Sequence, residues 1–250
     1  MCYNVKYTEK RVEKLKDRYK NTLPLVWNES FLPKELPIFH FASGFDHPTL
    51  PIIKNDGIFL FNWGLIPEWI MNLEAANKIQ NSTLNAVGET VFEKKSFQNS
   101  VVNKRCLLPI NGFYEWRDFH KNKIPYYIQS SENELFSLAC IYDTWIDPIN
   151  GNVKNTFSII TCQANPLMEK IHNVKKRMPL ILNKDDEENW LNNDLNKTEI
   201  IKLIKPYPES KMKAHTISQS VNNHAFDRNR ADITEEVKYP ELNTIQQTIW

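Results

Sequence analysis

Short apolar stretches, separated by polar clusters, run through most of the chain from about residue 40 to about residue 220. The stretches are rich in β-branched and aromatic residues and are bounded by Pro, Asn, Asp or Gly, which is typical of β-strands. Strands are therefore predicted at 58–63, 126–129, 135–141, 157–161, 179–182 and 213–218.

A helical period is visible near the start of the chain. Val12, Leu15 and Tyr19 recur at helical spacing in the charged segment 8–20, and Thr8 is the predicted N-cap. Asp and Glu residues occupy positions 185–188, the first turn of a segment at 184–192, where the helix dipole favours negative charge. Further helices are predicted at 165–171, 184–192 and 197–204.

Neither an internal repeat nor a Pro-, Ser- or Gly-rich linker divides the chain. Strands with helices between them predict a single α+β domain, with a curved, mainly antiparallel sheet as a barrel-like core and helices at the periphery. We expect this domain to span residues 1–238 and a loosely held tail to span residues 239–250.

Composition narrows the classes of function. The net charge of +1 gives no global attraction to nucleic acid or membrane, so a polyanion site must come from local clusters of Lys and Arg. The charged N-terminus lacks the apolar segment of a signal peptide, and the apolar run 58–71 is broken by polar residues, Gly and Pro. Four scattered cysteines form neither a CxxC pair nor a disulfide framework. We expect a soluble, cytoplasmic protein without membrane association.

Cys2 follows the initiator Met directly. If Met1 is removed, one residue carries both an α-amine with a pKa near ~8 and a thiol with a pKa near ~8.5. Such an aminothiol suits aldehydes, because the amine forms an imine and the thiolate then closes a five-membered thiazolidine ring. The alternative is that Met1 stays and position 2 has no chemical role.

Glu115 lies in the segment 105–116, where an apolar strand and an Asn-Gly turn are followed by an acid between Tyr114 and Trp116. A buried carboxyl in this setting would have a raised pKa, as a general acid or base near neutral pH requires. In the alternative interpretation, Glu115 points to solvent from an alternating strand.

His172 is followed closely by Lys175, Lys176 and Arg177. The histidine could transfer protons beside a phosphate clamp, or it could be a structural residue beside a solvated loop. The block 85–89, which begins with Asn85, predicts a turn when it is considered alone. The histidines and cysteines share no metal-ligand spacing and no Gly-rich phosphate loop is present, so we expect no metal and no cofactor.

Further fragments occur in a fixed order behind Cys2. They are Asn-Trp-Gly-Leu-Ile-Pro at 62–67 with Trp69, the segments 85–86 and 89–90, 105–116, 124–127, 139–145, 159–161 and 164–165, His172 with 177–179, and 221–222. In this order they resemble the SRAP family, the SOS-response-associated peptidases, over most of the chain.

The resemblance implies a sensor of abasic sites in single-stranded DNA that forms a covalent thiazolidine crosslink through Cys2, with abasic-site lyase and self-processing activity. It assigns Cys2 as the nucleophile and Asn85 as a hydrogen-bonding partner of the sugar or new ring. Glu115 would shuttle protons, and His172 would assist proton transfer to the opened sugar. The implied partner is single-stranded DNA with abasic sites, bound by a monomer that associates with the nucleoid.

Aromatic and basic residues would hold the strand. An apolar wedge or stacking platform for bases is expected at Trp63, Pro67 and Trp69, since stacking on aromatic rings tolerates any sequence. In the alternative interpretation, Trp63 is simply a core residue. Phosphate contacts are expected at Lys104, Arg105, Lys175, Lys176 and Arg177.

The chain departs from the family pattern in three places. Tyr3-Asn4 stands where the family commonly has Gly-Arg, Val87 stands where it has Arg, and the spacing from His172 to Arg177 is longer by three residues. The residues expected to carry out the chemistry are present. Two basic residues of the family pattern are absent, and Arg177 is displaced along the sequence.

Two other functions fit parts of the sequence. An N-terminal cysteine amidohydrolase of the glutaminase type would use the Cys2 thiol on an amide, but it would require a glycine after the cysteine and an arginine nearby. A non-enzymatic single-stranded DNA-binding scaffold would need no reactive Cys2, although Asn85, Glu115 and His172 are retained.

Overall fold

Two β-sheets form the framework of the computed structural model, which describes residues 2–20, 35–223 and 225–243. The first sheet has five strands in the order β13-β8-β7-β1-β2, and all of its pairings are antiparallel. Its strands are β1 (Asn4–Tyr7), β2 (Phe39–Ser43), β7 (Gly112–Phe119), β8 (Asn122–Ser130) and β13 (Met212–Thr216).

The second sheet has eight strands, and five of them close into a ring. In the order β10-β4-β3-β6-β9 each strand pairs with the next, and β9 pairs back with β10, which gives the core its barrel-like shape. The ring consists of β3 (Thr49–Lys54), β4 (Gly57–Trp63), β6 (Arg105–Ile110), β9 (Phe136–Ile146) and β10 (Val153–Gln163). At its margins lie β5 (Asn85–Val87), β11 (Arg177–Pro179) and β12 (Ile181–Leu182).

Seven α-helices lie around the sheets in the part of the chain that the structure describes. They are α1 (Val12–Tyr19), α2 (Leu73–Gln80), α3 (Ser100–Asn103), α4 (Pro166–Ile171), α5 (Lys184–Leu191), α6 (Lys197–Leu203) and α7 (Pro240–Asn243). The α+β class, the mainly antiparallel curved sheet and the peripheral helices predicted from the sequence are confirmed.

Helices α4, α5 and α6 match the three predicted in the second half of the chain. The first helix begins at Val12, with Arg11 at the N-cap, so Thr8 is not the cap. The reason is that the amide and hydroxyl of Thr8 both donate to Asn111 Oδ1, at 2.7 and 3.1 Å, and hold the chain against the β6–β7 turn.

The predicted strand 179–182 is divided between two neighbours. Met178 and Pro179 pair with β10, whereas Ile181 and Leu182 pair with β9. Leu180 lies between them and hydrogen-bonds to both strands, which turns the chain from one partner to the other.

The C-terminal part of the described chain is held against the first sheet. The Val237 amide donates to the Thr216 carbonyl at 2.9 Å, and the Tyr239 hydroxyl donates to the Ile217 carbonyl at 2.7 Å. The predicted tail begins at this anchored tyrosine, and 244–250 lie outside the described residues. The boundary at residue 238 stays a prediction.

Among the helices that the structure describes, none combines the length and apolar character needed to cross a bilayer. The described side chains also contain no cluster of three or more His, Cys, Asp or Glu placed to hold a metal ion.

Candidate active site

An open cleft of about 700 Å³ lies beside the start of β1. Its wall combines aromatic rings, carboxyl groups, one imidazole and several cations. The residues that line it include Tyr3, Asn4, Phe41, Phe45, Glu115, Trp116, Asp118, Lys123, His172, Lys175, Asn222 and Arg228.

Cys2 is placed by strand β1, which pairs with β7 on one side and β2 on the other. Asn4 lies opposite Tyr114 and Ser43, so the residues just before β1 reach the part of β7 that carries Glu115. The Cys2 side chain is fully buried, and its Sγ lies 3.9 Å from the Asn4 carbonyl oxygen. Burial, with the negative charge of Glu115 as a second cause, raises the pKa of the Cys2 thiol. The thiol is therefore protonated at rest and needs a proton acceptor to react.

Glu115 is buried on β7, with 4% of its surface exposed. Burial raises the pKa of Glu115 to about 7, against the opposing effects of the positive amino terminus of the chain and of Lys175. Glu115 is therefore buried, as the prediction of a buried carboxyl required, and the solvent-facing alternative is wrong. A carboxyl with this pKa can both give and take a proton at neutral pH.

His172 lies at the C-terminal end of α4, with Nδ1 2.9 Å from the Arg177 carbonyl oxygen. Burial lowers the pKa of His172, and the positive charges of the amino terminus and Lys175 lower it further. The lowered pKa favours the neutral form of the imidazole at pH 7.

Asn85 opens β5, a short strand that pairs in parallel with β10 through Ile159. The block 85–89 is thus a strand followed by a 3₁₀ turn at Gly88–Thr90, not a simple loop. Neither side-chain amide atom of Asn85 has a hydrogen-bond partner among the described residues, although both are buried. Buried polar groups are nearly always paired in folded proteins, so this amide is suited to a ligand.

The strand β5 approaches the N-terminal segment through Gly44. The Gly44 amide donates to the Tyr3 carbonyl at 2.8 Å, and a Cβ on Gly44 would lie 3.3 Å from Leu84 Cδ2. Leu84 directly precedes Asn85, which brings the unpaired amide to the same region of the molecule as Cys2.

The three cations after His172 have different surroundings. Lys175 lines the cleft and makes no ion pair with any described residue, and Lys176 is exposed in a left-handed conformation with φ of 49°. Arg177 instead holds Glu89 through two bonds of 2.8 and 2.7 Å and donates to the Thr161 carbonyl at 2.8 Å. The Arg177 guanidinium is therefore bonded within the protein, and this arrangement does not fit the predicted phosphate contact.

The expected aromatic wedge is largely buried. Trp63 is fully buried, donates from Nε1 to the Leu84 carbonyl at 2.8 Å and stacks on Phe157 with ring centroids 6.1 Å apart. Pro67 is also buried, and Trp69 is 37% exposed with Lys95 Nζ 4.4 Å from its ring centroid. Trp63 and Pro67 therefore belong to the core, and Trp69 alone of the three offers a ring face at the surface.

Lys104 and Arg105 are likewise engaged within the protein. Lys104 Nζ lies 2.8 Å from Glu68 and 2.7 Å from Asp143. Arg105 is 3% exposed, and burial lowers its pKa to about 10. Its guanidinium donates to the backbone carbonyls of Val101, Val102, Trp190 and Asn192. These four bonds direct the guanidinium into the fold, which argues against the predicted phosphate contact at Arg105.

Several cleft residues were missed from the sequence. Trp116 donates from Nε1 to Asn222 Oδ1 at 2.6 Å, and Tyr3 packs against the exposed ring of Phe45 at 5.1 Å. The position of Trp116 next to Glu115 in the sequence could have indicated that it lies at the site. Arg228 reaches the cleft only because of the path that the C-terminal segment takes.

Comparison with known proteins gives consistent results. A family model described as SOS response associated peptidase (SRAP) matches residues 1–224. The abasic site processing protein YoqW of Bacillus subtilis (strain 168) is 39% identical over 172 residues, covering 68% of this chain and 73% of the relative. The abasic site processing protein HMCES of Gallus gallus is 30% identical over 200 residues, covering 72% of this chain and 58% of the relative.

Solved structures share the whole fold. A crystal structure of a protein from Bacteroides thetaiotaomicron superposes with a TM-score of 0.84 at 38% identity, covering 95% of this chain and 100% of that one. A protein from Bordetella bronchiseptica has the same fold at 19% identity, with a TM-score of 0.70 over 87% of this chain and 100% of that one.

Proposed function

Because the chain belongs to the SOS response associated peptidase family, we propose that it senses abasic sites in single-stranded DNA and binds them covalently through Cys2. One observation carries the proposal. Cys2, buried just before β1, lies close enough to Glu115 for that carboxyl to raise the pKa of its thiol, and Glu115, with a pKa of about 7, lines the cleft together with His172. The names of the relatives, abasic site processing proteins, support the same substrate.

The reaction joins an aminothiol to an aldehyde. After Met1 is removed, the α-amine of Cys2 attacks the aldehyde carbon of the ring-opened abasic sugar and gives a carbinolamine. Loss of one water from this adduct gives an iminium, and Cys2 Sγ then adds to the same carbon and closes a thiazolidine. One water leaves in total, the thiol proton passes to a base, and no oxidant or reductant is consumed.

Glu115 fits the proton transfers of this sequence. In its protonated form it donates to the departing hydroxyl of the carbinolamine, and as a carboxylate it accepts the proton from Sγ. The acceptor is needed because burial raises the pKa of the Cys2 thiol and keeps the thiolate scarce. The negative charge of Glu115 would also stabilise the iminium.

His172 and Asn85 complete the site. A neutral imidazole with its pKa lowered by burial can take a proton while the sugar ring opens. The Asn85 amide, unpaired among the described residues, can donate to a sugar oxygen and accept from a hydroxyl.

The finer parts of the proposal follow from this chemistry. An iminium acidifies the neighbouring carbon, so β-elimination would give abasic-site lyase activity. Self-processing would expose Cys2 by removing Met1. The protein would act as a monomer, with the nucleoid as its location when it is bound to DNA.

A gel assay tests the proposal. Purified protein is mixed with single-stranded DNA that contains one uracil, with and without prior treatment with uracil glycosylase. We expect a shifted band that survives boiling in detergent only after glycosylase treatment. A shift that boiling removes in both samples would overturn covalent capture and leave the non-enzymatic scaffold.

A further inference from the structure

The C-terminal segment 225–239 lies beyond the residues matched by the family model, and it folds back over the first sheet. Ile233 is buried in a small cluster with Phe41 and Tyr114. The His40 amide donates to Asn229 Oδ1 at 2.7 Å, and His215 Nε2 lies 2.7 Å from the Thr234 carbonyl. These anchors fix the path of the segment along β2 and β13.

This path places Arg228 in the wall of the cleft. Its guanidinium lies 4.7 Å from the centroid of the Phe41 ring and forms neither a hydrogen bond nor an ion pair within the described part of the chain. The neighbouring acid Asp227 accepts from the Asn229 amide through Oδ1 at 2.9 Å and forms no ion pair with Arg228. Stacking on an aromatic ring orients a guanidinium while leaving its in-plane donors available.

Arg230, two residues further on, provides the contrast. It forms two bonds with Asp232, at 3.0 and 2.5 Å, lies 5.3 Å from the Phe226 ring and does not line the cleft. The two arginines of this segment therefore differ in their partners. Arg230 is paired with a carboxylate, whereas Arg228 lines the cleft without an acidic partner among the described residues.

The charges that line the cleft favour an anionic ligand. Lys123, Lys175 and Arg228 contribute three cations from three separate segments, against the carboxyl groups of Asp118 and Glu115. Phosphate groups, which recur along a nucleic acid strand, suit cations spaced around a cleft, and the planar fork of Arg binds phosphate through two parallel bonds.

We propose that Arg228 binds a backbone phosphate of the DNA strand that occupies the cleft, so that the C-terminal segment forms part of the DNA-binding surface. This inference rests on the proposed function, which supplies the strand. The Phe41 ring would hold the guanidinium in place before the strand arrives. The contact would add affinity on any sequence, because phosphates carry no base information.

Noncovalent binding provides the test. In a Cys2→Ser background, a fluorescent oligo-dT strand is titrated at several salt concentrations with Arg228→Ala, Arg228→Lys and Arg230→Ala. Loss of one phosphate contact lowers the salt slope of single-strand binding by about 0.7. We expect Arg228→Ala to show this decrease and roughly tenfold weaker binding. Arg228→Lys should keep the slope, and Arg230→Ala should match the parent.

The outcomes separate this inference from the proposed function. A salt slope unchanged in Arg228→Ala, with wild-type protein still crosslinking abasic DNA, would overturn the role of Arg228 and leave the function standing. A lower slope in a protein that never crosslinks would support Arg228 and overturn covalent capture. Equal decreases in Arg228→Ala and Arg230→Ala would mean that charge anywhere on the segment is sufficient, and would also overturn the inference.

Discussion

The surroundings of Glu115 and of Arg105 show two ways of burying a charged group in this protein. Arg105 donates to four backbone carbonyls, which hold its guanidinium within the fold, although burial lowers its pKa to about 10. Glu115 is as deeply buried and its pKa is raised to about 7, but its carboxyl lines the cleft, where a ligand can reach it. Burial shifts the pKa of both groups, so the contrast lies in their position: a buried charge bonded to backbone carbonyls is structural, whereas a buried titratable group that lines a cleft is suited to catalysis.

Trp63 and Trp116 show the same contrast between a residue held inside the fold and a residue that lines the cleft. Trp63 donates to a backbone carbonyl and stacks inside the core, whereas Trp116 lines the cleft and donates to Asn222. Trp116 is therefore placed to meet a ligand in the Glu115 cleft, whereas Trp63 is part of the core.

The largest expected effect is the loss of the adduct in Cys2→Ser. Serine lacks a thiol that can close a stable ring, so the band that survives boiling should disappear, while noncovalent binding to undamaged single strands stays close to wild type. Denaturing gels and a binding titration measure the two properties. Cys162→Ser, which changes another buried cysteine, is the matched control and should keep the adduct.

Arg105→Met should destabilise the fold by about 3 kcal/mol, because buried carbonyls lose their donors. Chemical denaturation at pH 7 measures the loss, with Arg230→Met as a control that changes an exposed ion pair worth about 1 kcal/mol or less. A fully stable Arg105→Met protein with weaker DNA binding would contradict the structural role and restore the predicted phosphate contact.

Glu115→Gln should slow adduct formation by about 100-fold, since a positioned acid–base group typically contributes at least this much. Time courses between pH 5 and 8 measure the effect, and reversal of the adduct should slow as well. Asp118→Asn changes another carboxyl of the cleft and should have the smaller effect. Equal rates for Glu115→Gln and wild type at every pH would mean that Glu115 is structural.

The same substitution should change how stability depends on pH. Unfolding returns the pKa of Glu115 from about 7 to its ordinary value of 4.5. Between these values the unfolded chain releases a proton that the folded protein keeps, so the free energy of unfolding falls by about 3 kcal/mol as pH rises. Denaturation of Glu115→Gln from pH 4.5 to 7.5 should lack this decrease. A parallel decrease in both proteins would contradict the raised pKa.

Local patterns predicted much of this fold. The acidic residues at the start of 184–192, and the β-branched and aromatic stretches 126–129 and 157–161 with turn residues at their ends, led to α5, β8 and β10. Strand β1 has four residues in a charged segment, and its partner Tyr114 is more than a hundred residues away, so no local signal identified it.

The site could be predicted only in part. The acid between two aromatic residues indicated Glu115, but Arg105 and Lys175 have similar sequence neighbourhoods and opposite environments. Which cation is buried depends on contacts such as that between Arg105 and the carbonyl of Trp190, 85 positions along the chain. Arg228 was missed because its place in the cleft depends on the packing of Ile233.

The smallest expected effect separates Lys175 from Arg177. Lys175→Ala should lower the salt slope of single-strand binding by about 0.7 with little change in stability. Arg177→Ala should leave the slope unchanged and reduce stability, because it breaks the bonds to Glu89 and Thr161. Titrations at several salt concentrations and thermal denaturation measure both properties. The reverse pattern would mean that Arg177 releases Glu89 to bind DNA.

The central claim is that Cys2 closes a ring on the abasic aldehyde, and the intact mass of the adduct tests it most directly. Wild-type protein is incubated with single-stranded DNA carrying one abasic site, without any reductant, and the product is weighed and mapped by peptide digestion. The mass should equal that of the protein without Met1 plus the DNA minus one water, with the DNA on Cys2. An adduct that retains Met1, or one that requires borohydride and maps to a lysine such as Lys175, would contradict the account.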